Sequence, residues 1–190
     1  CVPSKSLIAA AETAHTFACC EDFGIRAQTP KIDFGAVMAH LRRVIREIEP
    51  HDSPERYEAM GVRIFHDTAR FINEKQLQAG NTIIEARYFV IATGSRPRIP
   101  DIPGLEQDKV LTNETVFSLK QLPGHLVVIG GGPIGTELAQ AFSRLGSAVT
   151  ILSNSALLPR EDAEAAEIVR AQMESENIEV IQNARVERVN

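Results

Sequence analysis

The chain has 190 residues, enough for one substantial core or two modest ones, and its 44% hydrophobic and 24% charged residues match an ordinary soluble globular protein. A formal net charge of -5 argues against a nucleic-acid partner. The nearest basic cluster, Arg42, Arg43 and Arg46, sits beside Glu47 and Glu49 and reads as a solvated helix face. No apolar run approaches the roughly 18 residues of a membrane span, and no signal peptide opens the chain, so the expectation is a cytoplasmic protein with no membrane partner.

The sequence opens on Cys1 and stops at Asn190 directly after a strand-like run, so the natural protein is expected to continue on both sides. Its three cysteines are Cys1, Cys19 and Cys20, an odd number that fits no secreted disulfide framework. Cys19 and Cys20 have no His or Cys at metal-ligand spacing, so they read as small, partly buried side chains and no metal site is expected.

In chain order, Pro3 to Ala18 reads as a helix with Leu7, Ile8, Ala11, Ala14 and Ala18 on one face. Phe23 to Pro30 reads as a loop. A second helix is expected from Phe34 to Glu49, with Val37, Leu41, Val44, Ile45 and Ile48 as its apolar stripe. Pro50 stops it, Asp52-Ser53-Pro54 starts another helix leading to Met60, and Gly61 ends that one. Short strands follow at Val62–Phe65, Ala69–Ile72, Gln76–Gln78 and Thr82–Glu85, separated by turn residues such as Asn73 and Gly80-Asn81. Tyr88 to Ala92 is a continuous apolar run, the pattern of a strand buried on both faces. A segment with Pro97, Pro100 and Pro103 then excludes regular structure and marks a domain boundary. Beyond it, strand Leu126–Ile129, helix Ile134–Leu145, strand Ala148–Leu152, helix Ala163–Ser175 and strand Ile178–Ile181 imply parallel β-α-β units.

Gly130-Gly131-Gly132-Pro133-Ile134-Gly135 satisfies G-x-G-x-x-G between such a strand and helix, the context in which the pattern signifies a dinucleotide. Gly130 permits the tight turn, Gly132 lets backbone approach a pyrophosphate, and Gly135 lets helix and strand pack closely. The helix N-terminus offers unpaired N–H groups and a positive dipole end to the phosphates. The alternative is a glycine-rich turn that binds nothing. An NAD site usually carries an acid at the end of the next strand to bond the ribose 2′-OH. Here Ser153, Asn154 and Ser155 follow Leu152, which favours NADP and leaves NAD possible. The Arg that often completes an NADP site is missing from these three positions, although Arg160 follows.

Cys1-Val2-Pro3-Ser4-Lys5 places a thiol at a helix N-terminus near a lysine, which stabilises the thiolate. Taken alone, the segment reads as a structural cysteine. Together with Ala92-Thr93-Gly94-Ser95-Arg96-Pro97 and Gly130 to Glu137, it resembles the class I pyridine nucleotide–disulfide oxidoreductases, the group of dihydrolipoamide dehydrogenase, glutathione reductase and mercuric reductase. The three motifs stand in that family's order and spacing, and the likeness covers essentially the whole chain. Ile32 to Phe71, with Pro50-His51-Asp52-Ser53, looks most like the bacterial mercuric-reductase-like or dihydrolipoamide-dehydrogenase-like branch.

The resemblance implies an α/β fold with two partial Rossmann-like nucleotide-binding domains and a small antiparallel β-meander. Residues 1–112 would belong to the FAD-binding domain and 113–190 to the NAD(P)-binding domain. It implies a flavoprotein oxidoreductase that moves a hydride from NAD(P)H to FAD, and electrons on through a cysteine pair to a disulfide or metal-thiolate substrate. Cys1 matches the flavin-side cysteine of a C-x-x-x-x-C pair whose first member would stand five residues upstream. Lys5 becomes the flavin-side lysine, Thr93-Gly94-Ser95 an FAD-contacting turn, Ala69 a backbone contact to the FAD adenine, and Val186 one to the NAD(P) adenine. Glu137 becomes the partner of Lys5 in a desolvated ion pair at the flavin, the alternative being a surface Glu that compensates a helix dipole.

The family's N-terminal FAD loop, its later G-D motif and its C-terminal interface domain have no match in these residues, so the 190 residues alone are expected to be inactive. None of His15, His40, His51, His66 and His125 matches the histidine that the interface domain contributes across a homodimer. A different class of function, a nucleotide-binding module or one-cysteine flavoprotein without disulfide chemistry, is distinguished by whether a cysteine stands five residues before Cys1.

Overall fold

A computed structural model describes residues 1–28 and 30–189; Thr29, inside the loop expected over 23–30, and Asn190 lie outside the described residues. The chain divides into two compact units, one formed by residues 1–45 with 97–190 and the other by residues 46–96.

In the first unit, helix α1 (Val2–Cys19) begins with Pro3 in its first turn and buries Leu7, Ala11 and Ala14 at helical spacing. A short 3-10 turn follows, and Gly24 closes it in a left-handed conformation (φ 76°), donating its N–H to the carbonyls of Cys20 and Glu21. Helix α2 (Phe34–Ile48) buries Phe34, Met38 and Leu41. Its deepest stripe therefore lies slightly to one side of the expected one: Val37, Val44, Ile45 and Ile48 are only partly buried, while Phe34 and Met38 go fully inside.

The rest of this unit is a β-α-β-α-β run. Numbering strands and helices along the whole chain, these are β4 (His125–Ile129), α4 (Pro133–Arg144), β5 (Ala148–Leu152), α5 (Ala163–Ser175) and β6 (Glu179–Ile181). The strands lie parallel in the order β4-β5-β6, with Val127 opposite Thr150 and Ile151 opposite Val180. Asp162 caps α5, its carboxylate accepting the Glu164 and Ala165 N–H groups. Phe142, Leu145, Ile151, Met173 and Ile178 form one core with Leu7 of α1 and Phe34, Met38 and Leu41 of α2. The Phe34 and Phe142 rings lie 6.1 Å apart. Burying one such aromatic ring contributes about 2–3 kcal/mol.

The second unit holds α3 (Pro54–Ala59), β1 (Ala69–Asn73), β2 (Gln76–Ala79) and β3 (Thr82–Glu85). Ser53 caps α3, its hydroxyl accepting the Arg56 N–H. The strands form an antiparallel meander, Phe71 opposite Leu77 and Leu77 opposite Ile84. Gly80 turns the β2–β3 hairpin at φ 54°, where any other residue would strain the backbone and push the exposed Asp67 carboxylate, 2.1 Å from its Cβ, aside.

Two expected strands do not form. Val62–Phe65 and Tyr88–Ala92 are both irregular, and Tyr88 and Val90 are 82% and 91% exposed instead of buried on both faces. A strand exists only as part of a hydrogen-bonded ladder, and no described residue supplies these runs with a partner strand.

Candidate dinucleotide loop and redox helix

The turn between β4 and α4 is built around its glycines. Gly130 takes φ 114° and donates its N–H to the Leu152 carbonyl at 2.8 Å. A Cβ at Gly135 would lie 2.9 Å from the Gly130 carbonyl oxygen and 3.1 Å from Val128 Cγ1, so glycine lets α4 press onto β4. At Gly132 a Cβ would meet nothing within 4 Å. Gly132 caps α4 with no side-chain acceptor, and the first bond of the helix runs from the Thr136 N–H to the Gly132 carbonyl at 3.0 Å. Pro133 has no N–H, so the N–H groups of Ile134 and Gly135 precede the helix's own ladder. Open backbone, orphan donors and a helix dipole suit the pyrophosphate of a dinucleotide.

Gly131, the one loop glycine that the motif left unassigned, is equally constrained. A Cβ there would lie 2.7 Å from Ser153 Oγ. Ser153 is only 1% exposed, with its hydroxyl against Gly131 and accepting the Ser155 N–H at 3.4 Å. It stands beneath the glycine loop, while Asn154 is exposed and Ser155 partly so. Serine follows the strand because a larger side chain would have to displace the loop.

At the other chemical signal, Cys1 is exposed at the N-cap of α1, and its carbonyl accepts both the Lys5 N–H at 3.0 Å and the Ser4 hydroxyl at 2.9 Å. The Lys5 ammonium donates to Glu137 Oε1 at 2.9 Å, joining the helix headed by Cys1 to the helix headed by the glycine loop. The pair is present, and within these residues its side chains are 61% and 45% exposed. At that exposure its worth to the folding of these residues is about 0–1 kcal/mol.

A second ionic contact escaped the sequence reading. Two turns beyond Glu137, Arg144 pairs with Glu12, which itself lies two turns beyond Lys5. α1 and α4 thus run side by side in the same direction, tied at two heights by pairs of opposite polarity. Ile8, Ala11 and Ala141 line the seam between them. Arg144 also grips Glu176 through two bonds of 2.7 Å, Nε to Oε2 and Nη2 to Oε1, and Gln140 and Gln172 each donate to Glu176 Oε1 at 2.9 Å. These side chains are 13% and 8% exposed. Burial pushes the Glu176 carboxyl upward, but hydrogen bonds from Arg144 and Gln172 outweigh it and hold the group below its usual range. Glu176 in turn raises the Arg144 guanidinium. Seven-residue spacing in both helices was the available sequence signal, yet nothing in either helix alone indicates which two helices are neighbours.

The remaining candidates lie singly. Val186 is partly buried in the segment after β6. In the second unit, Ala69 opens β1 opposite Ala79, and Thr93, Gly94 and Ser95 lie in an exposed irregular stretch with Gly94 at φ 68° and open space where a Cβ would stand. His125 shares a 3.0 Å hydrogen bond with Thr150, a structural role. Among the described residues no helix is long and apolar enough to cross a membrane, and no group of three His, Cys, Asp or Glu is arranged to hold a metal.

The family profile described as pyridine nucleotide-disulphide oxidoreductase matches residues 1–190. A mercuric reductase of Streptomyces lividans is 40% identical over 86% of this chain and 36% of its own length. A dihydrolipoyl dehydrogenase of Bacillus subtilis is 30% identical over 100% of this chain and 43% of its own. Among solved structures, the HOCl-induced flavoprotein disulfide reductase RclA of Escherichia coli superposes with a TM-score of 0.78 at 30% identity, over 99% of this chain and 40% of that one. The chain spans roughly two fifths of the length of these relatives. The α/β architecture, the motif order and these likenesses agree, and the chain belongs to the pyridine nucleotide–disulfide oxidoreductase family.

Proposed function

We propose that the chain is the nucleotide- and thiol-bearing middle of a flavoprotein disulfide reductase, with residues 1–112 serving the FAD-binding domain and 113–190 the NAD(P)-binding domain. The net reaction is NAD(P)H, a proton and a disulfide giving NAD(P)+ and two thiols; a metal-thiolate can take the two electrons instead. Bound FAD would supply the two-electron relay between the nicotinamide and the cysteine pair. Cys1 serves as the flavin-side thiol, completed by a cysteine five residues upstream. Lys5 brings a positive charge to the flavin side, and Glu137 orients its ammonium. Gly130, Gly132, Pro133, Ile134 and Gly135 hold the pyrophosphate of the nicotinamide nucleotide. Ala69, Thr93, Gly94 and Ser95 meet FAD, and Val186 meets the nicotinamide nucleotide's adenine. A small-molecule disulfide or metal-thiolate is the substrate, and the whole protein works as a cytoplasmic homodimer.

The observation that carries this reading is the 2.9 Å Lys5–Glu137 contact, which links the thiol-bearing helix to the dinucleotide-bearing one. NADP is favoured over NAD because no carboxylate stands at 153–155 to repel a 2′-phosphate. With Ser153 inside, Asn154, Ser155 and Arg160 are the groups left to meet it. The test uses the full-length protein. It should prefer NADPH over NADH several-fold in kcat/KM, and on partial reduction it should show a long-wavelength absorbance band that Cys1→Ser abolishes. A band that survives Cys1→Ser sinks the thiol assignment, and a preference for NADH sinks the nucleotide one.

A further inference from the structure

The loop after β5 is held far more tightly than its irregular backbone would require. On one side, the Leu158 N–H donates to the Gly131 carbonyl at 2.7 Å, with Leu158 itself in a left-handed conformation at φ 50°. On the other side, the turn after β6 grips it: the Asn183 N–H donates to the Ser155 carbonyl at 3.3 Å and the Ala184 N–H to the Ser153 carbonyl at 2.8 Å. Between these grips lies Leu157, buried, whose N–H donates to the side chain of Gln182 at 2.7 Å. Without that oxygen, a backbone donor would sit inside the protein with no acceptor, which the loop could relieve only by moving outward.

We propose that Gln182 is a positioning residue for nucleotide selectivity. Its amide oxygen fixes Leu157 and thereby holds Asn154 and Ser155 where they face the adenosine 2′ position. This deepens the reading of the β4–α4 turn as a nucleotide site and rests on it. Gln182 needs no contact with the nucleotide. It acts through the loop whose outer residues, Asn154 and Ser155, follow the strand end where 2′ recognition takes place in β-α-β nucleotide folds. The pyrophosphate cradle shares one hydrogen bond with the loop, Leu158 to Gly131, and rests Gly131 on Ser153 and Leu157, but its free N–H donors belong to the start of α4. Loosening the loop should therefore disturb 2′ discrimination and leave phosphate binding largely intact.

Two substitutions in the full-length protein separate reach from chemistry. Gln182→Met keeps the length and loses the acceptor; Gln182→Asn keeps the amide but falls one methylene short. Affinities for 2′,5′-ADP and 5′-AMP, measured by calorimetry, give the readout. In both variants 2′,5′-ADP should weaken about tenfold and 5′-AMP less than twofold, so the ratio collapses, whatever the change in melting temperature. A purely structural role would weaken both ligands alike. Retention of the ratio by either variant, or equal loss for both ligands, overturns the proposal while the nucleotide site stands. An unsubstituted protein that binds neither ligand overturns the underlying site and this inference together.

Discussion

The two compact units contain similar ingredients, three short strands and a share of helix, yet only one of them makes a core. In the first, each parallel crossover brings its own cover: α4 and α5 lie against the strands they connect, and Phe142, Ile151 and Met173 are fully buried. In the second, consecutive strands join through tight hairpins that carry nothing across the sheet, and of its hydrophobic residues only Ala79 is buried. Phe71 and Phe89 meet edge to face at 5.0 Å, but Phe71 stays half exposed. Within these residues the β-α-β run carries helices that cover its own strands, with α1 and α2 completing the core, whereas hairpin connections bring the meander no such layer.

The sharpest way to break this comparison is to truncate an aromatic ring in each unit. Phe142→Ala should destabilise the protein by about 3–5 kcal/mol in urea unfolding, through lost transfer energy and a cavity. Phe71→Ala should cost less than about 1 kcal/mol by the same measurement. Comparable losses would show that the meander holds a core of its own.

An intermediate effect should come from the polar edge of the first unit. Glu176→Gln leaves the Arg144 guanidinium without its counter-charge and should cost about 2 kcal/mol at neutral pH. Because the carboxyl is held below its usual range, its contribution is fully present above the ordinary carboxylate pKa, 4.5, and disappears as pH falls through the lower folded value. Melting temperature against pH should accordingly show a steeper acid limb in the natural protein than in Glu176→Gln. Parallel limbs would remove Glu176 from the account. The smallest effect belongs to the exposed pair: Lys5→Met should change stability by no more than about 1 kcal/mol. Any larger consequence in the full-length protein should appear in the proposed reduction of flavin by a nicotinamide nucleotide, followed by stopped-flow absorbance, so that stability and chemistry separate at this residue.

Much of this was legible in the order of residues, for reasons that are local. β5 and α5 run over the expected residues because a short apolar, β-branched run and an Asp-capped helical segment each lie wholly within a few consecutive residues. The glycine loop was legible because each glycine answers a backbone requirement within a few residues of itself. The Lys5–Glu137 contact could be anticipated only through family likeness, since 132 residues separate the partners and no periodicity connects them.

Tertiary structure decided the rest. It left the apolar run Tyr88–Ala92 without a ladder partner among the described residues, and brought Lys5 to Glu137 across 132 residues. It put Ser153 beneath the glycine loop, and it paired Glu12 and Glu176 with one guanidinium. Sequence determines what a segment is suited to, because propensity and capping act over a few residues. Whether its hydrogen bonds are met and its charges are dry depends on which distant segments arrive beside it.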